Sequence, residues 1–480
     1  MISLKATVFR LHRFIAWVGG IALMCFAISA ILHPVMSWTG PQAVQHTPPE
    51  ARFTAQNLEQ TQAILRQHQF KKIRTIKLVP GPDQGLLMQV TNDRSQVRQY
   101  FNVRTGAELL DYEPTYARWL AGYYTGLKTN NIVNLQHQTQ FDAAYPWVNR
   151  LLPVYRVEFA DAAKTIAFVD TELGALAGLT NTYKSRLQIL FQWMHTWSWL
   201  GADGVLRFLV VLVFVLSIVT MLGTGLNLIL RVKRQKPSRT QRWHRFVGIG
   251  LWLPLSFFAL SGLYHLLQNQ VVPPQHSFQS LPAFKLNLFS SKSKESLATP
   301  KIDGFFSSIS ILNLDHLVYR VTQAPVVAKG DRESRFQGHA IEGKSDYYSV
   351  STGKYVDLSE EELARRYATL HLANLSSEIT GLELLTQFGS GYDFRNKRLP
   401  VWRVLTSRNE VLFIDNATGA LVDRTTPSQS LENLSFSYLH KYNFLTPILG
   451  RFYRDLVMIL IVGMAIALSL LGYWLVIKRR

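Results

Sequence analysis

Cysteine and charge are what this sequence has least of. Its 480 residues include one cysteine, Cys25. A single thiol excludes a disulfide framework, a cysteine zinc site, an iron–sulfur cluster and covalent CxxCH haem attachment. Metal chemistry therefore falls to the 13 histidines or to carboxylates. The sequence also lacks a nucleophile–base triad, a P-loop and an HExxH motif. Charged residues make up only 17%, yet Lys and Arg outnumber Asp and Glu by 51 to 32, a net +19. A basic nucleic-acid binder is normally rich in charge throughout. Here 48% of the residues are apolar, so charge is concentrated between stretches that exclude it.

Four such stretches are long enough to cross a bilayer, which takes about 20 apolar residues: Phe14–Met36, Phe208–Leu230, Phe246–Leu267 and Leu456–Ile477. The first exceeds the usual apolar core of a signal peptide and reads as a retained anchor. Residues 1–13, the connection Arg231–Arg245 and the tail from Lys478 together hold 13 Lys/Arg and no Asp or Glu. The positive-inside rule puts all three in the cytoplasm. The remaining charge is only +6, so the basic balance records topology, and a nucleic-acid partner is excluded. Both long segments between spans then lie outside the cytoplasm, which in a Gram-negative bacterium means the periplasm. Too little chain remains inside for a nucleotide or flavin domain.

The sequence repeats itself. His12–His33 aligns without a gap on His244–His265, with eight identities in 22 residues. QFDAAYPWVNRLLPVYRV from Gln140 matches QFGSGYDFRNKRLPVWRV from Gln387, YFNVRTG from Tyr100 matches YYSVSTG from Tyr347, and FVDTELGAL from Phe168 matches FIDNATGAL from Phe413. The same offset as the last pair sets Phe191 and His195 over Phe436 and His440. Each half is thus one span, one outer domain and one returning span, a parallel repeat about an axis along the membrane normal. The fold expected is an all-α membrane four-helix bundle with two α+β outer domains. In the first domain, Thr54–Gln69 has helical spacing and strands are expected at Arg74–Val79, Leu86–Thr91 and Gln99–Val103. The Ser/Lys-rich run Phe289–Pro300 reads as a linker.

His12 and His33 are 21 residues apart, as are His244 and His265. In a supercoiled bundle that is three whole heptads and about 31.5 Å of rise, so both rings of each pair are expected to face the interior, one at each membrane surface. His195 and His440 precede the second and fourth spans at the outer edge. An ionisable group in a span is a functional candidate by default, although a lone interfacial histidine is commonly a cap or an anchor. A zinc or copper site needs three or four converging ligands with carboxylates behind them, and the spans and their cytoplasmic ends supply none. Haem needs only one or two axial imidazoles and an apolar slot, and a bundle rich in Phe, Gly and Ala provides it. The expectation is two or three non-covalent haem b groups with bis-histidine ligation. His12 and His244 hold the cytoplasmic-side group; His33, His265, His195 and His440 hold the outer ones, with their pairing open. Arg13 and Arg245 are placed to neutralise propionates.

LHRF at Leu11, WHRF at Trp243, the MHTW and LHKY segments at Met194 and Leu439, and the YFNVRTG-type units resemble the PepSY-associated transmembrane proteins. That group includes iron-regulated inner-membrane proteins and ferric-siderophore reductases facing the periplasm. The resemblance implies PepSY-like outer domains and a b-type haem protein that delivers electrons to a ferric chelate, a siderophore among them, for iron acquisition. The family's span-edge histidines fall here on His12, His195, His244 and His440. The domain division is then 1–37, cytoplasmic N-terminus and first span; 38–200, first PepSY-like domain; 201–236 and 237–268, second and third spans; 269–450, second PepSY-like domain; and 451–480, fourth span and cytoplasmic tail. The electron donor, a lipid quinol or a separate reductase, is open.

Other residues read as structural. Trp193, Trp197 and Trp199 suit an interfacial belt. Arg156 and Arg403 suit paired strand arginines, and Tyr145 and Tyr392 suit core positions. Two alternatives remain: a membrane-anchored binding or regulatory module without redox activity, and a transporter, for which the spans offer mainly Ser29, Ser217, Thr220, Ser256, Ser261 and Ser469.

Overall fold

A computed structural model describes residues 4–478 except 69, 71, 93–96, 147–148, 202–203, 232–236, 272–277, 287–297, 324–343, 374–376 and 390. Most of the expected linker at 289–300, part of the basic connection, and Arg479 and Arg480 lie outside the described residues. In chain order the helices are α1 (Leu4–Thr39), α2 (Ala55–His68), α3 (Glu113–Thr125), α4 (Thr182–Phe191), α5 (Val205–Arg231), α6 (Arg239–Val271), α7 (Glu360–Leu372), α8 (Pro427–Ser435) and α9 (Thr446–Ile477). The chain divides into a helical unit, Met1–Gly40, Thr182–Gln275 and Pro427–Arg480, and a sheet unit, Pro41–Asn181 and His276–Thr426.

In the helical unit, α1, α5, α6 and α9 each contain a stretch apolar and long enough to cross a membrane, at the four places expected. A helix is the natural state for such a run, because it satisfies every backbone group internally. α9 starts about ten residues before the apolar run. Its added turns hold Arg454 and Asp455, which pair with each other, and a non-helical Gly450 at φ +76°. α1 packs against α5 and α9, and α6 packs against the same two. Close approach depends on small residues: a β-carbon at Gly19 would stand 3.2 Å from the Ser217 backbone, and one at Gly20 would stand 2.8 Å from the Tyr473 hydroxyl. Ala22, Leu23, Ile218, Leu251, Leu255, Ala259 and Ala465 form the core. α4 runs into a π-helical turn, Gln192–Thr196, and α8 into another, Phe436–His440.

The sheet unit is built from antiparallel strands. β1 (Ala51–Thr54), β2 (Ile73–Pro80), β3 (Leu86–Asn92), β4 (Gln99–Asn102) and β5 (Glu108–Leu109) come first, then β6 (Ile132–Gln138), β7 (Val154–Phe159), β8 (Ile166–Asp170) and β9 (Ala175–Thr180). After the middle helices come β10 (Asp303–Phe306), β11 (Ser308–Asn313), β12 (Leu317–Thr322) and β13 (Ser345–Ser349), then β14 (Ile379–Leu385), β15 (Val401–Thr406), β16 (Val411–Asp415) and β17 (Ala420–Thr425). The expected helix at Thr54–Gln69 and the three expected strands after it appear as α2, β2, β3 and β4.

β2 to β5 and β11 to β13 share one seven-stranded sheet, in the order β13-β12-β11-β2-β3-β4-β5. The join is antiparallel and self-matching, with Leu78 opposite Ile309, Lys77 opposite Ser310 and Ile76 opposite Ile311. Both sides bury one core, including Phe53, Ile76, Leu78, Met88, Phe101, Ile309, Ile311 and Tyr319. Each such side chain contributes about 1.5–3 kcal/mol on burial, so neither meander is complete alone. β6 to β9 and β14 to β17 form two four-stranded sheets of the same order, packed on α3 and α7 respectively. Each ends its third strand in a turn closed by a glycine at positive φ, Gly174 and Gly419, in the FVDTELG and FIDNATG segments.

Each of those helices begins with an acid, Glu113 fully buried and Glu360 partly so, and each acid has its own set of partners. Glu113 accepts from Arg98 at 2.7 Å and from the Thr171 hydroxyl at 2.6 Å. Glu360 accepts from Arg320 at 2.9 Å, the Tyr347 hydroxyl at 2.6 Å and the Asn416 amide at 2.6 Å. A buried carboxylate persists only with this degree of compensation.

Candidate cofactor site

The chemistry-bearing side chains of the helical unit gather at two levels. At the first, His12 on α1 stands against α5. Its Nδ1 lies 2.9 Å from the Thr224 hydroxyl, and a β-carbon on Gly225 would come within 3.4 Å of its ring. His244 on α6 repeats this against α9, where a β-carbon on Gly472 would come within 3.3 Å of its ring. His244 Nδ1 faces the Leu468 carbonyl but makes no hydrogen bond of good geometry, since Leu471 stands where α5 has Thr224. Glycine at 225 and 472 is what leaves room for an imidazole between neighbouring helices.

The second level is set by the two π-helical turns. They carry His195 and His440 to the bundle, where the ring centroids are 6.3 Å apart with planes at 83°. His195 Nδ1 lies 3.0 Å from the Ser29 hydroxyl on α1, and His440 Nδ1 lies 3.3 Å from the Ser261 hydroxyl on α6. Phe26 meets His195 edge-on at 5.6 Å and Phe258 meets His440 edge-on at 5.7 Å. Behind each ring lies a stacked phenylalanine, Phe191 at 4.8 Å and Phe436 at 4.5 Å. Ser29 and Ser261 each lie 17 residues beyond the histidine on their own helix, so the levels are separated by about 25 Å of helical rise. The residue after His195 is tied down by Arg207, whose Nε donates to the Thr196 carbonyl at 2.6 Å. In the other half Arg454 donates to Asn443, in the segment just after His440.

His33 and His265 do not join the facing pair. The expectation that both would point into the bundle is not met by His33, which is exposed, with its ring 6.1 Å from Phe191. His265 stacks on Phe436 at 4.3 Å, and both its nitrogens are engaged, Nδ1 with Glu432 at 2.5 Å and Nε2 with Asn269 at 3.1 Å. Glu432 is a carboxylate behind an imidazole, in a place where the spans alone offered none. Leu187 is at the matching position of α4, so the arrangement is confined to the second half. Arg13 lies over the Phe9 ring at 6.0 Å, and Arg245 donates to the Ile229 carbonyl at the end of α5.

The residues read as structural behave so. Trp193 and Trp199 are exposed, while Trp197 packs on Phe214 at 4.8 Å. Arg156 pairs with Asp142 and Glu158, and Arg403 with Glu383. Tyr145 and Tyr392 are buried and donate to the Leu151 and Arg398 carbonyls, each at 3.0 Å.

The sequence reading missed the supporting shell. Ser29 and Ser261 were noted only as polar residues in spans, although they are one of the eight identities between the first and third helices. Gly225 over Gly472, and Arg207 over Arg454, fall on an offset already used for the outer domains.

Four half-buried imidazoles with Nδ1 turned to a hydroxyl or carbonyl of a neighbouring helix keep Nε2 for a ligand bond. Metal-ligating histidines are held in this way. Among the described residues no group of three or more His, Cys, Asp or Glu converges on a point, so the arrangement suits a group that asks for two axial nitrogens.

The family model for the PepSY-associated TM region matches residues 9–479, and the chain belongs to that family. It is a membrane protein with four apolar helices. A search of curated proteins returns no match.

Proposed function

We propose that the chain is a b-type haem protein of a bacterial inner membrane that passes electrons outward to reduce a ferric chelate of the siderophore type, for iron acquisition. The observation that carries this reading is the facing pair His195 and His440. Two imidazoles bound to one first-row metal ion at about 2.0 Å each place their ring centroids a little over 6 Å apart. The 6.3 Å found here fits that spacing, and Ser29 and Ser261 occupy the nitrogens that must not ligate. His195 and His440 would hold one haem, and His12 and His244 the other. Bound haem supplies a site that accepts and releases single electrons without a proton.

The chain's own residues do the rest. Glycine at 225, 262 and 472 admits the rings, Phe191 and Phe436 cover the outer pair, and Arg207 and Arg454 fix the segments that follow it. His265 and Glu432 support the Phe436 side, and His33 flanks the other. On this reading, which the basic flanks support, both termini are cytoplasmic and the sheet unit is periplasmic, where its two PepSY-like domains receive the substrate. Reducing ferric to ferrous iron takes one electron and weakens binding by hard oxygen donors, which frees the metal. A membrane quinol or a separate reductase supplies the electron on the cytoplasmic side. The self-matching seven-stranded sheet, the twin four-stranded sheets and the paired histidine sites support an origin by duplication.

The test is the dithionite-reduced absorbance of detergent-purified protein, with pyridine haemochrome stoichiometry. Two haem b per chain are expected. A colourless protein, reconstituted with haem, would leave a membrane-anchored binding module without redox activity.

A further inference from the structure

The two facing imidazoles are held by serines that are themselves fixed. Ser29 is fully buried and Ser261 is 2% exposed, in helices where a free hydroxyl would be costly. Each hydroxyl hydrogen is already spent on its own helix, Ser29 on the Phe26 carbonyl at 3.0 Å and Ser261 on the Phe257 carbonyl at 2.5 Å. What Oγ offers the imidazole is therefore a lone pair, so the ring must bring the proton. This network puts the proton of His195 and of His440 on Nδ1, shared at His440 with the Phe258 carbonyl at 3.3 Å, and leaves Nε2 bare. Thr224 does the same for His12: its hydroxyl donates to the Thr220 carbonyl at 2.7 Å and accepts from Nδ1 at 2.9 Å. Leu471 offers His244 nothing of the kind.

We infer that Ser29, Ser261 and Thr224 are positioning residues that fix the imidazole tautomer and strengthen Nε2 as a donor, and so lower the reduction potential at the level they serve. An N–H held by an acceptor leaves its ring more electron-rich, and a more basic ligand favours the ferric state. The inference rests on the haem reading above and adds to it the groups that set the potential. Ser469 on α9 is the control for a buried serine as such: it is 8% exposed and donates to the Ala465 carbonyl at 3.0 Å.

The experiment is a spectroelectrochemical titration of the full chain in detergent. It compares wild type with Ser29→Ala, Ser261→Ala, the double variant, Ser29→Thr, Ser469→Ala and Leu471→Thr. One of two potential waves should rise in each single alanine variant and rise further in the double, while the other stays. Ser29→Thr should return the wave toward wild type, and Leu471→Thr should lower the second wave. Ser469→Ala should move neither. Waves unmoved in the double variant, or moved as far by Ser469→Ala, would overturn this inference alone. An absence of b-type absorbance in wild type would overturn it together with the haem reading.

Discussion

The helical unit and the sheet unit contain the same two chain halves and treat them differently. In the helical unit the halves agree side chain by side chain around the two facing imidazoles, and differ beside the others, where Leu471 stands for Thr224 and Leu187 for Glu432. Phe26 and Ser29 meet His195 as Phe258 and Ser261 meet His440, and Gly225 and Gly472 make the same space for His12 and His244. In the sheet unit the strand order agrees but the buried charges do not. Glu113 is matched by Arg98 on the strand-side loop, whereas Glu360 is matched by Arg320 on β12. A buried carboxylate needs only enough positive charge and donors, and many positions can supply them. A lone pair that must point at a fixed place has far fewer solutions. Agreement between halves therefore marks directional chemistry, and agreement of fold alone marks packing.

The largest expected effect that sharpens this contrast is in the sheet unit. Arg98→Met strips the cation from Glu113, which is 0% exposed, and from Glu172, and should cost about 3–5 kcal/mol in urea unfolding of the full chain. Arg320→Met should cost less, about 1.5–3 kcal/mol, because Arg320 serves one carboxylate that is partly exposed where Arg98 serves two. Equal costs would mean that the two solutions are one.

Acid should act through the same cluster. Burial by itself would raise Glu172, but Arg98, Lys77 and Arg398 outweigh it and hold the carboxyl at about 2. Its folded value lies below the ordinary glutamate value of about 4.3, so its contribution is complete above that pH and fades as pH falls toward about 2. Up to about 3 kcal/mol of stability should disappear over that window. Glu172→Gln should flatten the pH dependence, and an unchanged slope would remove Glu172 as its source.

The smallest effect is at the surface. Arg403 meets Glu383 across β14 and β15 with both side chains more than a third exposed. Arg403→Ala should change stability by no more than about 0.5 kcal/mol. A larger loss would show that this pair does more than decorate a strand.

Much of this was legible in the sequence. The four spans announce themselves by length and absence of charge, and α2 with the three strands after it follow the apolar spacing and the Arg104-Thr105-Gly106 turn. The offsets that align the halves set His195 over His440 and His12 over His244, but left the pairing of the outer four open. What was not legible was depth. A span-edge position says that His195 lies near the membrane surface, not that a π-helical turn brings it down to Ser29. Heptad spacing puts His33 on one face of α1, and no local signal shows that it is exposed there while Pro34 and Met36 beside it are buried. The sharing of one sheet by β2 and β11 is a long-range pairing between strands more than 200 residues apart, and each strand looks ordinary alone.

The pairing of the histidines is tested most directly by haem content in the four single alanine variants, at His12, His244, His195 and His440, and in the doubles within and between levels. His195→Ala and His440→Ala should each lose the same haem, and their double should lose no more. His12→Ala and His244→Ala should lose the other, and a double across levels should be colourless. Four independent partial losses, or a double within one level that loses both haems, would contradict the paired sites on which the account rests.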